Sequence, residues 1–195
     1  MRLAIFGGTF DPIHSGHVEA VLAAADQHAL DRVLVVPSGR PPHKATACRV
    51  PYEHRLRMVE LACAADKRLV PSRLEAPGAD GKPHYSVDTI ERVRRTHRFS
   101  PPLRFVIGAD AFAEVGLWRD AESVGALVEF LIVSRPGCEP PGPRDSSGLR
   151  SAFVPCANPA SSRVVRHRAK IGGSLADLAP PAICEYIWEH GLYRL

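Results

Sequence analysis

The 195-residue chain predicts a doubly wound α/β fold: a parallel sheet with helices on both faces and a small helical C-terminal portion. Three observations predict it. Short apolar runs alternate along the chain with longer helical patterns. Four of those runs are apolar at successive rather than alternate positions, as strands covered on both faces must be. The helical stretches between them supply the crossovers that parallel strands require.

The first strand is "RLAIF" at 2–6, ending in Gly-Gly, and the second is the valine-rich "RVLVVP" at 32–37. "RFVIG" at 104–108 and "EFLIVS" at 129–134 have the same character, whereas "KRLVPSRL" at 67–74 and "SAFVPC" at 151–156 are weaker candidates. A helix is predicted from Gly16 to His28, where Val18, Val21, Leu22 and Ala25 recur at helical spacing. Leu56, Val59 and Ala62 mark another between Pro51 and Ala65, and Val87, Ile90 and Val93 line one face of "YSVDTIERVRR". Two segments break the rhythm: "PSGRPPHKATACRVP" at 37–51 and "RPGCEPPGPRDSSG" at 135–148. Rich in Pro and Gly, they read as long surface loops, the second as mobile, and loops of this length are functional or disordered. From Ser161 onward a helix is followed by a Gly172-Gly173 break and a second helix from about Pro181 to His190. No internal repeat appears, so residues 1–195 are expected to form one domain, with about 160–195 as its helical C-terminal portion.

Composition excludes more than it selects. A formal charge of +4 suits an anionic substrate but carries little weight alone. Five cysteines, odd in number and never in a C-x-x-C arrangement, argue against a disulfide framework or zinc site and for reduced thiols in the cytoplasm. No apolar run approaches the ~20 residues of a membrane span, and "MRLAIFGG" is too short for a signal peptide.

Chemistry concentrates in "GGTFDPIHSGH" at 7–17, between the first strand and the first helix. In open α/β sheets ligands bind beyond the carboxyl ends of strands. Glycines there let backbone amides approach phosphates, and the helix start offers free N–H groups and partial positive charge. His14 and His17, three apart at that start, can point into one crevice and donate charge-assisted bonds to phosphate oxygens. Neither G-x-G-x-x-G nor G-x-x-x-x-G-K-[ST] is present, which excludes the common dinucleotide and triphosphate loops. No acidic or cysteine partner stands at ligand spacing from the histidines, so no protein metal site is expected.

Read whole, the stretch resembles the G-T-F-D-P-x-H-x-G-H signature of the nucleotidyltransferase superfamily. Further elements resemble the nicotinate-nucleotide adenylyltransferase family within it: "PPHK" at 41–44, "YSVDTI" at 85–90, "FVIGADAF" at 105–112, "LWRD" at 117–120 and "SRPG" at 134–137. The C-terminal "ASSRVVRHRAKIGGSLADLAPPAICEYIWEHGLY" resembles that family's S-S-T-x-I-R motif, glycine break and closing helix. The resemblance runs from Arg2 to Tyr193 and implies a Rossmann-like fold. It implies transfer of the adenylyl group of ATP to nicotinate mononucleotide, giving nicotinate adenine dinucleotide and pyrophosphate in NAD biosynthesis.

The roles implied by the resemblance follow its motifs. His14, His17, Lys44 and Arg166 would serve the triphosphate, with Ser161 and Ser162 assisting; Ser161 also suits a helix N-cap. Gly7, Gly8, Thr9 and Phe10 would line the nucleotide crevice, and Gly108 and Asp110 would meet adenosine and ribose. Ser86, Trp118 and Arg119 would meet nicotinate mononucleotide. Mg²⁺ would ride on the triphosphate without a protein cage. Partners would be the two small substrates, with neither nucleic acid nor membrane, and a homo-oligomer is left open. Two positions depart from the pattern: Arg163 stands where the family has Thr, and Arg119 where relatives often carry an aromatic. The alternatives are the amide mononucleotide as acceptor, pantetheine phosphate as acceptor, or a non-catalytic nucleotide-binding protein. An RNA-binding module is disfavoured by the lack of a basic stripe interleaved with aromatics.

Overall fold

The structure, a computed structural model, describes residues 1–40, 48–79, 81–134 and 148–194. Within them the strands are β1 (Leu3–Gly8), β2 (Arg32–Pro37), β3 (Leu69–Pro71), β4 (Arg104–Gly108), β5 (Glu129–Ser134) and β6 (Ser151–Pro155). All pair in parallel, in the order β3-β2-β1-β4-β5-β6. The chain winds outward from β1 to one edge, then crosses back to β4 and winds to the other. The reversal leaves a crevice between the carboxyl ends of β1 and β4, where open sheets bind ligands.

Successive side chains of the central strands bury on opposite faces. Ala4 and Phe6 of β1, Val33 and Val35 of β2 and Leu131 and Val133 of β5 enter one apolar layer. Their neighbours Leu3, Ile5, Leu34, Val36, Phe130 and Ile132 enter the other. This two-sided burial explains why these runs are continuously apolar, since each buried aliphatic side chain is worth about 1.5–3 kcal/mol. The two weaker strand candidates prove to be the sheet edges, and each ends in proline, Pro71 and Pro155. An edge strand tolerates a residue that cannot donate to the ladder.

The first layer holds α1 (Ser15–Gln27), α2 (Tyr52–Cys63), α6 (Ser162–Lys170) and α7 (Pro181–Glu189); the second holds α3 (Ser86–Thr96) and α5 (Ala121–Leu127). Val21, Ala25, Leu56, Val59, Ala62, Val87, Ile90 and Val93 are all buried as their spacing predicts, while Val18 and Leu22 are half-buried. The sequence reading did not separate α5 or the short helix α4 (Ala109–Phe112), which follows β4 directly. The C-terminal portion packs into the first layer: Leu175, Leu178, Ile183 and Ile187 share its core, and the Leu178 carbonyl accepts from the Ser15 N–H at 2.9 Å. That bond fixes the start of α1. Cys63, Cys156 and Cys184 are free thiols. Burial pushes the Cys63 thiol up to about 12, so it stays protonated and inert. No helix among the described residues is long and apolar enough to cross a membrane.

Candidate active site

Two cavities open at the carboxyl ends of β1 and β4 and share one wall. The larger, about 430 Å³, brings together His14, His17, Ser162 and Arg166 on one side with Gly108 and Asp110 on the other. The smaller, about 220 Å³, is lined by Tyr85, Ser86, Phe105, Trp118 and Arg119. Gly7, Gly8 and Thr9 line both, so the two compartments meet at the end of β1.

The histidines sit where strand passes to helix. His14 is the N-cap residue of α1 and His17 its third helical residue, with the His17 ring reaching back to the chain before it. The His14 backbone N–H donates to His17 Nδ1 at 3.3 Å. With Nδ1 an acceptor, the donor proton of the His17 ring is assigned to Nε2. The two imidazoles lie 3.7 Å apart between centroids, and the Phe10 ring meets His17 edge-on at 5.2 Å. Phe10 reaches that position with φ of 48°, a left-handed conformation rare for a non-glycine residue and recurrent at functional sites. Gly16 allows the close approach, since a Cβ there would lie 3.2 Å from both the His14 ring and the Ala160 carbonyl.

Asp11 anchors this loop, and sequence reasoning missed it. Only 4% exposed, its carboxylate accepts from the Arg49 N–H at 2.6 Å and from the Tyr193 hydroxyl at 2.8 Å. Its carbonyl accepts from Arg166 Nη1 at 2.6 Å. Burial and the Asp11 charge both push the Tyr193 phenol up, so it remains a neutral donor. Arg166 is thus held with its guanidinium at the cavity wall. Ser162 Oγ donates to the Pro12 carbonyl at 2.9 Å, whereas Ser161 caps α6 by accepting from the Val164 N–H at 3.3 Å. Ser161 does not line the cavity; Ser162 does.

Arg55, also missed, is only 1% exposed. Its Nη1 donates to the carbonyls of Thr9 and Ser38, each at 2.7 Å, and its guanidinium lies 5.5 Å from the Tyr52 ring centroid. It therefore joins the chain just after β1 and β2 at Thr9, which lines both cavities, and Ser38, which lines the smaller. Lys44 and the rest of "PPHK", and the "SRPG" residues after Ser134, lie outside the described residues.

In the smaller cavity Trp118 packs edge-on against Phe105 at 5.9 Å, and the exposed Arg119 guanidinium stands 4.6 Å from the Tyr85 ring centroid. Glu75 forms part of the floor, accepting from Thr89 Oγ1 at 2.8 Å. Gly39 passes so close to it that a Cβ would lie 1.8 Å from the Glu75 carbonyl oxygen. Burial raises the Glu75 carboxyl above its ordinary 4.5, against the opposing pull of hydrogen bonds from Thr89 and Ser38. The folded state thus binds this proton more tightly than the unfolded chain, and the group's contribution to stability is lost as pH rises from 4.5 through the raised folded value. Glu75→Gln, which imitates the neutral carboxyl, is expected to melt at a higher temperature than the wild type at and above neutral pH. The gap should close as pH falls towards 4.5. Thermal melts over a pH series would refute this if the gap were independent of pH.

Among the described residues no group of three His, Cys, Asp or Glu side chains converges to hold a metal ion. A family model described as cytidylyltransferase-like matches residues 5–168. The chain is 46% identical to a probable nicotinate-nucleotide adenylyltransferase of Solibacter usitatus over 196 residues, covering 100% of both chains. It is 41% identical to a protein of the same description from Thermus thermophilus over 198 residues, again covering 100% of both. Its fold is similar to that of a Plasmodium falciparum nicotinic acid mononucleotide adenylyltransferase complexed with NaAD, with a TM-score of 0.79 at 18% identity over 98% of this chain and 97% of that one.

Proposed function

Since this chain belongs to the cytidylyltransferase-like family and, within it, to the nicotinate-nucleotide adenylyltransferases, we propose that it transfers the adenylyl group of ATP to nicotinate mononucleotide, releasing pyrophosphate. One observation carries the reading: a polar compartment that holds His14, His17 and Arg166 and an aromatic one meet at Gly7, Gly8 and Thr9, as a reaction between two bound substrates requires.

The attacking group is the mononucleotide phosphate, already ionised at neutral pH, so no general base or covalent nucleophile is needed. Its oxygen forms a bond to the α-phosphorus of ATP while the bond from that phosphorus to the bridging oxygen breaks, and pyrophosphate departs with the electron pair. The protein's task is to align two anions and stabilise charge moving onto the leaving group. The His17 Nε2–H and His14 face the triphosphate, Arg166 meets its leaving end, and Ser162 lies beside it. Gly108 and Asp110, across the cavity, suit the adenosine, since a carboxylate accepts from ribose hydroxyls. Lys44 keeps its role in phosphate neutralisation on the strength of the "PPHK" motif. Ser161 acts through the start of α6 that it caps rather than by direct contact.

In the aromatic compartment Trp118 offers a flat partner for the pyridine ring beside Ser86, and Arg119 supplies a cation on the rim that suits the nicotinate carboxylate. The donors around the triphosphate cavity fit a Mg²⁺ ion carried by the substrate. Asp11 is engaged on both oxygens, leaving Asp110 and Glu114 as the carboxylates at the wall. When bound, the ion would neutralise phosphate charge.

Purified protein assayed with ATP and each mononucleotide in turn tests the reading. A kcat/KM at least tenfold higher for the acid than for the amide is expected, with pyrophosphate released in equal amount. Preference for the amide would overturn the choice of acceptor, and turnover with neither would overturn the reaction.

A further inference from the structure

The proposed reaction uses only Arg166 of a larger, strongly charged feature. Arg163, Arg166, His167 and Lys170 recur at i, i+3, i+4 and i+7 and so form one face of α6. Together with Arg49 and Arg194 they line a cleft of about 600 Å³ that has no Asp or Glu among its described residues. Like charges at these spacings repel and destabilise a helix. Among the described residues, no Asp or Glu lies within ion-pairing distance of Arg49, Arg163 or Lys170. Arg168, off the stripe, does pair, with Asp177.

Helix polarity accounts for only part of this. His167 and Lys170 stand in the last turn of α6, where the helix dipole favours cations. Arg163 stands in the first turn, where it favours anions, and it occupies the position that departs from the family's Thr. Arg49 comes from a different segment altogether. Arg166 lines both this cleft and the triphosphate cavity, and its anchor on the Asp11 carbonyl makes it the wall between them.

We propose that this cleft is a second anion subsite, selective for an inorganic polyphosphate, which receives pyrophosphate as it leaves the triphosphate cavity past Arg166. The proposal rests on the adenylyl-transfer reading for the source of its ligand. The binding itself is measurable without turnover. Arg163 and Lys170 provide the selectivity, since two cations a helical turn or more apart can each meet one phosphate of pyrophosphate, whereas orthophosphate meets one at a time.

The test is titration of pyrophosphate, by calorimetry and ³¹P NMR, into protein saturated with an α,β-methylene analogue of ATP that occupies the catalytic cavity. Wild type is expected to bind pyrophosphate with the analogue in place and to bind orthophosphate more weakly. The double variant Arg163→Thr/Lys170→Met should lose affinity for pyrophosphate about tenfold or more while keeping its KM values for ATP and mononucleotide. Both side chains are exposed, so folding is not at stake, and Arg163→Lys should retain binding. No binding beside the analogue, unchanged affinity in the double variant, or equal affinity for orthophosphate would each overturn the proposal. Protein that binds pyrophosphate as expected but turns over neither mononucleotide would keep the subsite and sink the proposed reaction.

Discussion

His17→Ala is expected to lower kcat by about 10²–10³-fold, the loss seen when one preorganised donor to developing charge is removed. The geometry makes His17 such a donor. Its Nδ1 accepts from the His14 N–H, which assigns the ring proton to Nε2 and fixes the ring at the cavity wall. The ring is held between the Phe10 edge and the His14 face, which limits the rotation that would otherwise dilute the interaction. Because negative charge grows on the leaving pyrophosphate, the bond strengthens in the transition state more than in the ground state. Loss of kcat should therefore exceed any rise in KM for ATP. The half-buried ring adds some packing, so stability should fall by about 1 kcal/mol and the fold should persist. Steady-state kinetics beside a thermal melt separates the two effects. Turnover within a few-fold of wild type would refute a phosphate role for His17.

The histidines were legible in the sequence because their function depends on local spacing. Three residues apart at a strand-to-helix passage, they must share a crevice whatever the rest of the chain does. The central strands were legible for a similar reason, since burial on both faces marks each run by itself. Arg55 and Glu75 carry no comparable mark, and Asp11, although it stands within the signature at 7–17, has nothing local that discloses its role. Their meaning lies in partners distant along the chain, such as Tyr193 for Asp11, and a single carboxylate or guanidinium in sequence is more often a solvated one. Helix α5 was overlooked because "AESVGAL" spans scarcely two turns and contains a glycine, although Val124 within it is fully buried. Arg163 was visible as a departure from the family pattern, yet only the fold sets it beside Arg49 and Arg194.

Arg55→Leu should cost about 3 kcal/mol of stability, by a route that sequence alone would not suggest. The substitution keeps apolar bulk but removes the single nitrogen that bridges the Thr9 and Ser38 carbonyls. Hydrogen bonds from a charged donor are worth about 1.5–3 kcal/mol each, and buried carbonyls left without a donor carry their full desolvation cost. Removing the guanidinium also removes the cost of burying it, which keeps the total near the lower end of the sum. For a chain of this size the loss corresponds to a fall in Tm of about 6–12 °C. The same two carbonyls set the end of β1, where the cavities meet, and the Ser38 wall of the smaller one. A displacement of about 1 Å there can cost up to 10²-fold in rate, so kcat/KM should fall for both substrates even well below Tm. Arg55→Lys keeps the charge on a shorter stem and should recover part of the stability but less of the rate, because a point cation cannot hold the loop in the same place. If Arg55→Leu melted within a degree or two of wild type, the Thr9–Ser38 bridge would not be what holds the two strand ends together. If it lost stability while keeping full activity, the bridge would support the fold without positioning the site.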